Sequence, residues 1–252
     1  MNELFLHIHK DLPREGPGDR ASTLRAFRRV VAVTRVDSVL DVGCGPGAQT
    51  VALASATDAL IVALDTDGDY LGQLRLRASR EAVSDRVHAV QGSMFNMPVA
   101  AGVVDVVWAE GSIYIIGFER GLREWRQLVK PGGCVAVTQL SWLAEDVPDE
   151  PRRFWARHFP AMMSVDDNVG VAEQCGYELI EYFTLPKSAW WDDYYRPLEG
   201  RLRGLRTQYG GDTEALSAID STQEQIDLYR RFADCYGYVF YVLRRSDSLE
   251  DR

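Results

Sequence analysis

Short apolar runs alternate with segments of helical spacing over most of the chain, from about residue 21 to residue 141. In the first helical segment, the apolar residues Leu24, Phe27, Val30 and Val31 have the spacing of an amphipathic helix. Seven runs are apolar at successive positions and are predicted strands, in chain order "SVLDV", "ALIVALD", "RVHAVQGSM", "VVDVVWAE", "CVAVTQLSW", "YELIEYFTL" and "YGYVFYVLRR". Strands that alternate with helices predict an α/β fold with a parallel sheet between two helix layers.

Over the last hundred residues the alternation of strand and helix patterns is interrupted by stretches rich in aromatic and acidic residues. The stretch "WLAEDVPDEPRRFWAR" has no strand pattern, and a helical region runs from about Asp192 to Cys235. No linker rich in glycine, proline or serine separates these segments from the rest. We therefore expect a single domain over residues 1–252, with an N-terminal helical lid over about 1–36 and a helical cap made of about 142–175 and 187–235.

The net charge and the positions of the cysteines limit the kinds of partner that the protein is expected to bind. A formal net charge of −9 disfavours binding to nucleic acid or to an anionic membrane, since both would repel an acidic protein. The four cysteines form no CxxC pair, and no apolar run reaches the roughly 18 residues of a membrane span. His7 and His9 form an HxH pattern without a third ligand, so no metal is expected. We expect a cytoplasmic protein that acts on a small molecule, with its oligomeric state, a homodimer included, left open.

Three glycines between the first strand and a helix indicate a ligand close to the backbone. The segment "GCGPGA" allows a tight turn whose N–H groups a ligand can touch directly. It also satisfies G-x-G-x-x-[GA], so a nicotinamide or flavin cofactor fits this stretch as well, and a tight turn without a ligand is the structural alternative. Asp65 ends the second strand 18 residues after Gly47, where a carboxylate can accept ribose hydroxyls. Asp41 and the "VKPGG" segment, whose "KPGG" residues are predicted to form a turn before the fifth strand, separate the pattern from nicotinamide folds.

Five motifs in order carry a resemblance that covers about Ser38 to Leu140. The segments "VLDVGCGPG", "VALDTD", "QGSMFNMP", "DVVWAEGSIY" and "LVKPGGCVAVT" resemble those of class I S-adenosylmethionine-dependent methyltransferases. Further segments, "EGSIYIIGFERGLREW", "GPG" and "YGYVFY", are similar to bacterial methyltransferases of unassigned substrate. The resemblance implies a doubly wound, Rossmann-like sheet of seven strands, mostly parallel with the last strand antiparallel, and S-adenosyl-L-methionine as the cofactor.

The resemblance also implies a set of cofactor-binding residues. They are Asp41, Gly43, Gly45, Gly47, Gln49, Asp65, Thr66, Ser93, Met94 and Glu110. The glycine backbone lies against the methionine portion of the cofactor, and Asp41 orients its amino group directly or through water. Asp65 holds the ribose, while Ser93 and Met94 flank the adenine beside Thr66. Many relatives have an aspartate in place of Ser93, and Met94 and Gln49 each have a purely structural alternative.

Methyl transfer from a sulfonium needs alignment and exclusion of water, and it needs a base only if the nucleophile must lose a proton. The candidate catalytic residues are Glu110, Tyr114 and His158. The candidate substrate pocket consists of Tyr114, Trp142, Trp155, Trp191 and Tyr194. Such rings bind a planar substrate or a cationic amine, or they fasten the cap to the sheet.

The predicted function is transfer of a methyl group from S-adenosylmethionine to N, O or S of a small molecule. Two alternatives stay open at this point. One is an NAD(P)-dependent oxidoreductase on a similar sheet, and the other is a non-catalytic S-adenosylmethionine-binding protein.

Overall fold

The computed structural model describes residues 8–9 and 12–246. The strands are β1 Ser38–Val42, β2 Leu60–Asp65, β3 Val87–Gln91, β4 Val104–Ala109, β5 Val129–Trp142, β6 Met163–Ser164, β7 Tyr177–Thr184 and β8 Tyr236–Arg245. The helices are α1 Arg20–Val31, α2 Ala48–Ala54, α3 Gly68–Arg80, α4 Phe118–Arg126, α5 Asp149–His158, α6 Val165–Gln174, α7 Lys187–Trp190, α8 Arg196–Gln208 and α9 Thr213–Phe232. A 3₁₀ turn spans Ile113–Ile115, and a π turn spans Trp191–Tyr195.

The strands form one mixed sheet in the order β3-β2-β1-β4-β5-β8-β7, and β6 pairs with the end of β5. Strand β8 is antiparallel to both of its neighbours, and the other pairs are parallel. The predicted fold is therefore confirmed, with the two-residue strand β6 as an addition. The "KPGG" segment is a correction: predicted as a turn, it belongs to β5, with a shift of register between Val104 and Val106 on the neighbouring strand.

Two helix layers cover the sheet because its central strands are apolar on both faces. On one face, Phe27 of α1, Leu53 of α2 and Leu74 of α3 belong to a single buried cluster. On the other face, Leu122 and Trp125 of α4 pack with the opposite side of the same strands. All six residues of β4 are buried, as expected of a strand between two helix layers.

The cap has its own apolar cluster at the end of β5 and the start of β8. It joins α5, α8 and α9, and its largest buried side chains are Trp155, Trp190, Tyr195, Tyr229 and Tyr236. Strand β8 is antiparallel, so its first residues lie at the same edge as the carboxyl ends of the parallel strands. The cap consequently stands beside the edge where open α/β sheets bind ligands.

The N-terminal segment crosses this edge before α1 begins. The Gly18 N–H donates to the Ala189 carbonyl at 3.0 Å, and the Arg77 side chain donates to the Pro13 carbonyl at 3.0 Å. Helix α1 begins after Asp19, whose carboxylate caps it by accepting the Ser22 N–H. The described part of the proposed lid is thus tied to both α3 and the cap. Among the described residues, no helix is both long and apolar enough to cross a membrane.

Candidate functional site

The glycine-rich segment forms a tight turn at the carboxyl end of β1. The N–H groups of Gly43 and Cys44 both donate to the Leu64 carbonyl, at 2.8 and 3.0 Å. Gly43, Gly45 and Gly47 have φ angles of 71°, 52° and 84°, in the left-handed region that favours glycine. The local sequence therefore fixes the turn through backbone conformation.

Each of these glycines has a different neighbour. A Cβ atom on Gly43 would lie 2.5 Å from the Ser112 Cβ, and one on Gly47 would overlap the Leu74 side chain of α3. A Cβ on Gly45 would meet only the Glu15 Cγ, at 3.8 Å, an ordinary contact. Gly45 therefore borders open space, whereas Gly47 permits close packing of the turn against a helix.

The open space is a cavity of about 310 Å³ at the carboxyl ends of β1, β2 and β4. Eight of the ten predicted cofactor-binding residues line it, all except Asp41 and Gly47. These eight converge because strand ends and the turns that follow them meet at one edge of a parallel sheet.

Asp65 ends β2 and faces the glycine turn. One carboxylate oxygen accepts the Gly45 N–H at 2.8 Å, and the other accepts the Asp67 N–H at 3.0 Å. Burial raises the pKa of Asp65, and these backbone hydrogen bonds partly offset the effect. The carboxylate is thus fixed at the cavity wall, with lone pairs left for hydroxyl donors.

Asp41 lies behind the cavity wall and is fully buried. Its carboxylate accepts the Thr50 hydroxyl at 2.6 Å and the Gln49 amide at 3.4 Å. Burial raises its pKa to about 7. Gln49, which also donates to the Cys44 carbonyl at 3.0 Å, separates Asp41 from the cavity surface. In the described structure, an influence of Asp41 on a ligand would therefore pass through Gln49.

The turn after β3 and the end of β2 form another wall. The Gln91 amide donates to the Thr66 carbonyl at 3.0 Å, and the Ser93 hydroxyl accepts the Phe95 N–H at 3.3 Å. Met94 lines the cavity and also packs against the buried cluster of β4 and α4. Both roles considered for Met94 are therefore compatible with its position.

Glu110 lines the cavity, but three donors already hold its carboxylate. Thr23 donates at 2.7 Å and Trp108 at 3.0 Å, and the Arg14 guanidinium forms an ion pair at 3.1 Å. Only 4% of the Glu110 side chain and 9% of the Arg14 side chain are exposed. Glu110 thus ties the N-terminal segment to the sheet, a contact between residues 96 positions apart that sequence reasoning missed.

The N-terminal segment from Arg14 to Pro17 forms one side of the cavity. Glu15 hydrogen bonds to Tyr70 at the start of α3, and together with burial this raises the pKa of the phenol. Among the described lining residues, Arg14 is the one cation, beside the three acids Glu15, Asp65 and Glu110. The sequence placed this segment in the predicted N-terminal lid, but no sequence signal identified Arg14, Glu15 or Tyr70 as lining residues.

Of the five aromatic residues predicted to form the substrate pocket, only one lines the described cavity. Tyr114 lines the cavity, whereas Trp142, Trp155, Trp191 and Tyr194 do not. The latter four pack within the cap: Trp155 against Tyr236, with ring centroids 5.3 Å apart, and the others in the same apolar cluster. Their positions therefore favour the structural alternative, in which the rings fasten the cap to the sheet.

Of the three candidate catalytic residues, two line the cavity and one does not. His158 is exposed on α5, stacks on Phe154 at 4.3 Å between centroids, and does not line the cavity. Burial raises the pKa of the Tyr114 phenol, so this group is protonated at neutral pH. The structure therefore brings Glu110 and Tyr114 to the cavity and leaves His158 outside it.

Metal ligands and thiols add no further chemistry to this site. Over the described ranges 8–9 and 12–246, no three His, Cys, Asp or Glu side chains are grouped so as to hold a metal ion. His7 of the HxH pattern falls outside these ranges. All four cysteines are free, and burial raises the pKa of the Cys44 thiol beside the glycine turn.

Comparison with known proteins agrees with this geometry. Residues 39–133 match the family described as a methyltransferase domain. A sterol 24-C-methyltransferase of Gibberella zeae is 29% identical over 179 residues, which cover 66% of this chain and 46% of that enzyme. A 27-O-demethylrifamycin SV methyltransferase of Amycolatopsis mediterranei is 26% identical over 227 residues, which cover 84% of this chain and 78% of that enzyme. The chain thus spans about half the length of the sterol enzyme that it matches.

The fold has counterparts among solved structures. An S-adenosylmethionine-dependent methyltransferase from Geobacter sulfurreducens, in complex with S-adenosylhomocysteine, superposes with a TM-score of 0.79 at 18% identity. The superposition covers 96% of this chain and 98% of that one. The methyltransferase domain matched at residues 39–133, the sheet order and the position of the cavity together support a class I S-adenosylmethionine-dependent methyltransferase.

Proposed function

We propose that this protein transfers a methyl group from S-adenosyl-L-methionine to N, O or S of a small molecule. The observation that carries the proposal is the pairing of Asp65 with the glycine turn at the cavity wall, where its carboxylate accepts the Gly45 N–H at 2.8 Å. A carboxylate at the end of the second strand suits ribose hydroxyls, and a bare backbone suits the adjoining part of a nucleoside ligand. The methyltransferase domain matched at residues 39–133 supports this cofactor.

The lining charges fit a cationic cofactor. Among the described lining residues, three acids oppose one arginine, and that arginine is paired with Glu110. S-adenosylmethionine carries a sulfonium and an ammonium group, whereas a nicotinamide dinucleotide carries an anionic diphosphate that these acids would repel. A Cβ atom on Gly16 or Gly111 would meet no heavy atom within 4 Å, so both positions leave room for a ligand.

S-adenosylmethionine, when bound, would supply a methyl group attached to a positively charged sulfur. The sulfur is the leaving group and becomes a neutral thioether. In the proposed arrangement Asp65 accepts the ribose hydroxyls, and Thr66, Ser93 and Met94 flank the adenine. The backbone of Gly43 and Gly45 lies against the methionine portion. Gln49 stands at the same wall and is held by Asp41. These residues position the cofactor, which is the main requirement of an in-line displacement.

Exclusion of water falls to the N-terminal segment. Arg14 holds it to β4 through Glu110, and Gly18 holds it to the cap through the Ala189 carbonyl. A covered cavity keeps the methyl group from hydrolysis and strengthens electrostatic contacts with the cofactor. In this proposal Glu110 is a structural anchor rather than a base, because three donors occupy its carboxylate.

A small-molecule substrate is the choice that charge and architecture support. Two of the relatives named above act, by their names, on a sterol and on 27-O-demethylrifamycin SV. A net charge of −9 disfavours nucleic acid. The four free cysteines fit a reducing cytoplasm, where we place the protein. A homodimer is one arrangement that size-exclusion chromatography with light scattering would test.

Calorimetric titration of the purified chain with S-adenosylmethionine, S-adenosylhomocysteine and NADH tests the cofactor. We expect micromolar binding of the two sulfur compounds and none of NADH. Binding of NADH alone would support the oxidoreductase alternative and overturn the proposal. A screen of small-molecule acceptors with methyl-labelled cofactor then tests turnover, and binding without transfer to any acceptor would favour a non-catalytic binding protein.

A further inference from the structure

The N-terminal segment brings to the cavity one acid, Glu15, that lies outside the motifs of the sheet. The chain is fixed on both sides of this half-buried residue. Arg14, directly before it, pairs with Glu110 at 3.1 Å, and Gly18, three residues after it, donates its N–H to the Ala189 carbonyl at 3.0 Å. Glu15 is therefore held at the cavity by contacts to the sheet and to the cap.

Glu15 faces the glycine turn that Asp65 contacts from the other side. A Cβ atom built on Gly45 would lie 3.8 Å from the Glu15 Cγ, so this side chain passes directly over the exposed backbone of the turn. The N–H of the same glycine donates to the Asp65 carboxylate at 2.8 Å. Two acids that line the cavity, one from the N-terminal segment and one from the end of β2, thus flank a single glycine.

Tyr70, near the start of α3, orients the Glu15 side chain. Its phenol lines the same cavity and hydrogen bonds to the Glu15 carboxylate. Burial and then the charge of Glu15 raise the pKa of the phenol, so it stays protonated at neutral pH and donates to the carboxylate. Since α3 follows β2 directly, this hydrogen bond directs Glu15 toward the corner of the cavity where β2 ends in Asp65.

Two facing carboxylates match the two neighbouring hydroxyl groups of a ribose. Each Asp65 oxygen already accepts one backbone N–H, from Gly45 at 2.8 Å and from Asp67 at 3.0 Å, which leaves about one lone pair on each oxygen. A second carboxylate on the facing side can accept one of the two hydroxyl protons, and hydrogen bonds to a charged acceptor are the stronger kind. A ligand that donates to both acids also offsets their mutual repulsion.

We propose that Glu15 is a cofactor-binding residue, whose carboxylate accepts one ribose hydroxyl of S-adenosylmethionine while Asp65 accepts the other. This inference rests on the proposed function, because it takes the cavity as the cofactor site and Asp65 as a ribose acceptor. It makes the N-terminal segment a part of the binding site as well as its cover. The alternative is a structural role, in which Glu15 serves only to tie the segment to Tyr70.

Ligands that lack one ribose hydroxyl distinguish these two roles. The full-length protein and its Glu15→Gln variant are titrated calorimetrically with S-adenosylhomocysteine and with its 2′-deoxy and 3′-deoxy analogues. We expect the parent protein to bind each analogue at least fivefold more weakly than S-adenosylhomocysteine. Glu15→Gln should bind S-adenosylhomocysteine at least fivefold more weakly than the parent does. It should bind one of the two analogues within about twofold of S-adenosylhomocysteine, because the hydroxyl that this analogue lacks has already lost its acceptor.

The matched control is Glu81→Gln, which makes the same change of charge at an exposed residue that follows α3 and does not line the cavity. This variant should bind all three ligands like the parent protein. A structural role for Glu15, or its contact with the ammonium group of the cofactor, predicts that Glu15→Gln weakens all three ligands by the same factor, and this result would overturn the inference. It is also overturned if Glu15→Gln leaves the affinity for S-adenosylhomocysteine unchanged, or if the parent protein does not distinguish the analogues. Failure of S-adenosylhomocysteine to bind the parent protein would reject the proposed function and this inference together, whereas any of the other results would reject this inference alone.

Discussion

Replacing Gly47 and Gly45 separately by alanine distinguishes a glycine needed for packing from a glycine needed for a ligand. Both residues have positive φ angles, 84° and 52°, and an alanine in this region costs about 1–2 kcal/mol. Only at Gly47 does the new methyl group collide with the protein. It would overlap the Leu74 Cδ1 and lie 3.0 Å from the Leu74 Cβ and Cγ.

The collision at Gly47 cannot be relieved cheaply, because Leu74 is fully buried among α1, α2 and β1. Overpacking of this kind adds about 1–3 kcal/mol, so Gly47→Ala should lower the free energy of unfolding by roughly 3 kcal/mol in total. For a chain of this size that corresponds to a fall in Tm of about 6–12 °C. Gly45→Ala carries the strain alone, about 1 kcal/mol, and should lower Tm by about 2–4 °C.

The order of the two variants should reverse when ligand affinity is measured, because Gly45→Ala should lose more affinity although Gly47→Ala loses more stability. The methyl group of Gly45→Ala projects into the cavity, so we expect at least tenfold weaker binding of S-adenosylhomocysteine by calorimetry. Gly47→Ala should bind within about threefold of the parent protein at a temperature where it is folded. Equal losses of Tm in the two variants, or a larger loss of affinity in Gly47→Ala, would refute the reasoning.

Three further predictions concern the acids of the site. Asp65→Asn should weaken S-adenosylmethionine binding about tenfold in calorimetry, while the exposed control Asp69→Asn leaves the affinity unchanged; equal affinities would remove Asp65 from the ribose site. Glu110→Gln leaves a buried arginine without its counterion and should lower the free energy of unfolding by about 3 kcal/mol in urea titrations, against less than about 0.5 kcal/mol for Glu119→Gln in an exposed pair. Comparable values for these two variants would contradict the role of anchor. Burial raises the pKa of Asp41 from 3.8 to about 7, so the folded chain binds a proton that the unfolded chain has released between these values. Stability should therefore fall as pH rises from about 4 to 7, by at most about 1.4 kcal/mol per pH unit, and Asp41→Asn should remove this component of the slope.

The strands could be predicted from sequence because a strand covered by two helix layers must be apolar at successive positions. All seven predicted strands are present, including β4, which is buried throughout. The "KPGG" segment was misassigned because its turn residues are accommodated at the irregular start of β5, where register with β4 shifts. That irregularity depends on the neighbouring strand, and local residue preferences do not encode it.

Eight of the ten predicted cofactor-binding residues line the cavity, and their positions could be predicted because they belong to local features, namely a glycine turn and the residues at strand ends. Gly47 differs, since its need for glycine comes from Leu74, 27 positions away. The cap rings were harder to assign. Neighbouring residues of a helix point in different directions, so Trp191 and Tyr194 could be placed in a pocket or in a core only once α9 and β8 were packed against them.

The sequence by itself determined the sheet, the glycine turn, the position of Asp65 and the resemblance to methyltransferases, because apolar periodicity and short-range motifs encode them. The tertiary structure alone decided which side chains face the cavity. It brought Arg14 to Glu110, and it left His158 in solvent. Such contacts join residues about a hundred positions apart. Their geometry depends on how the N-terminal segment and the cap pack on the sheet, a collective result of burial that no single stretch of sequence specifies.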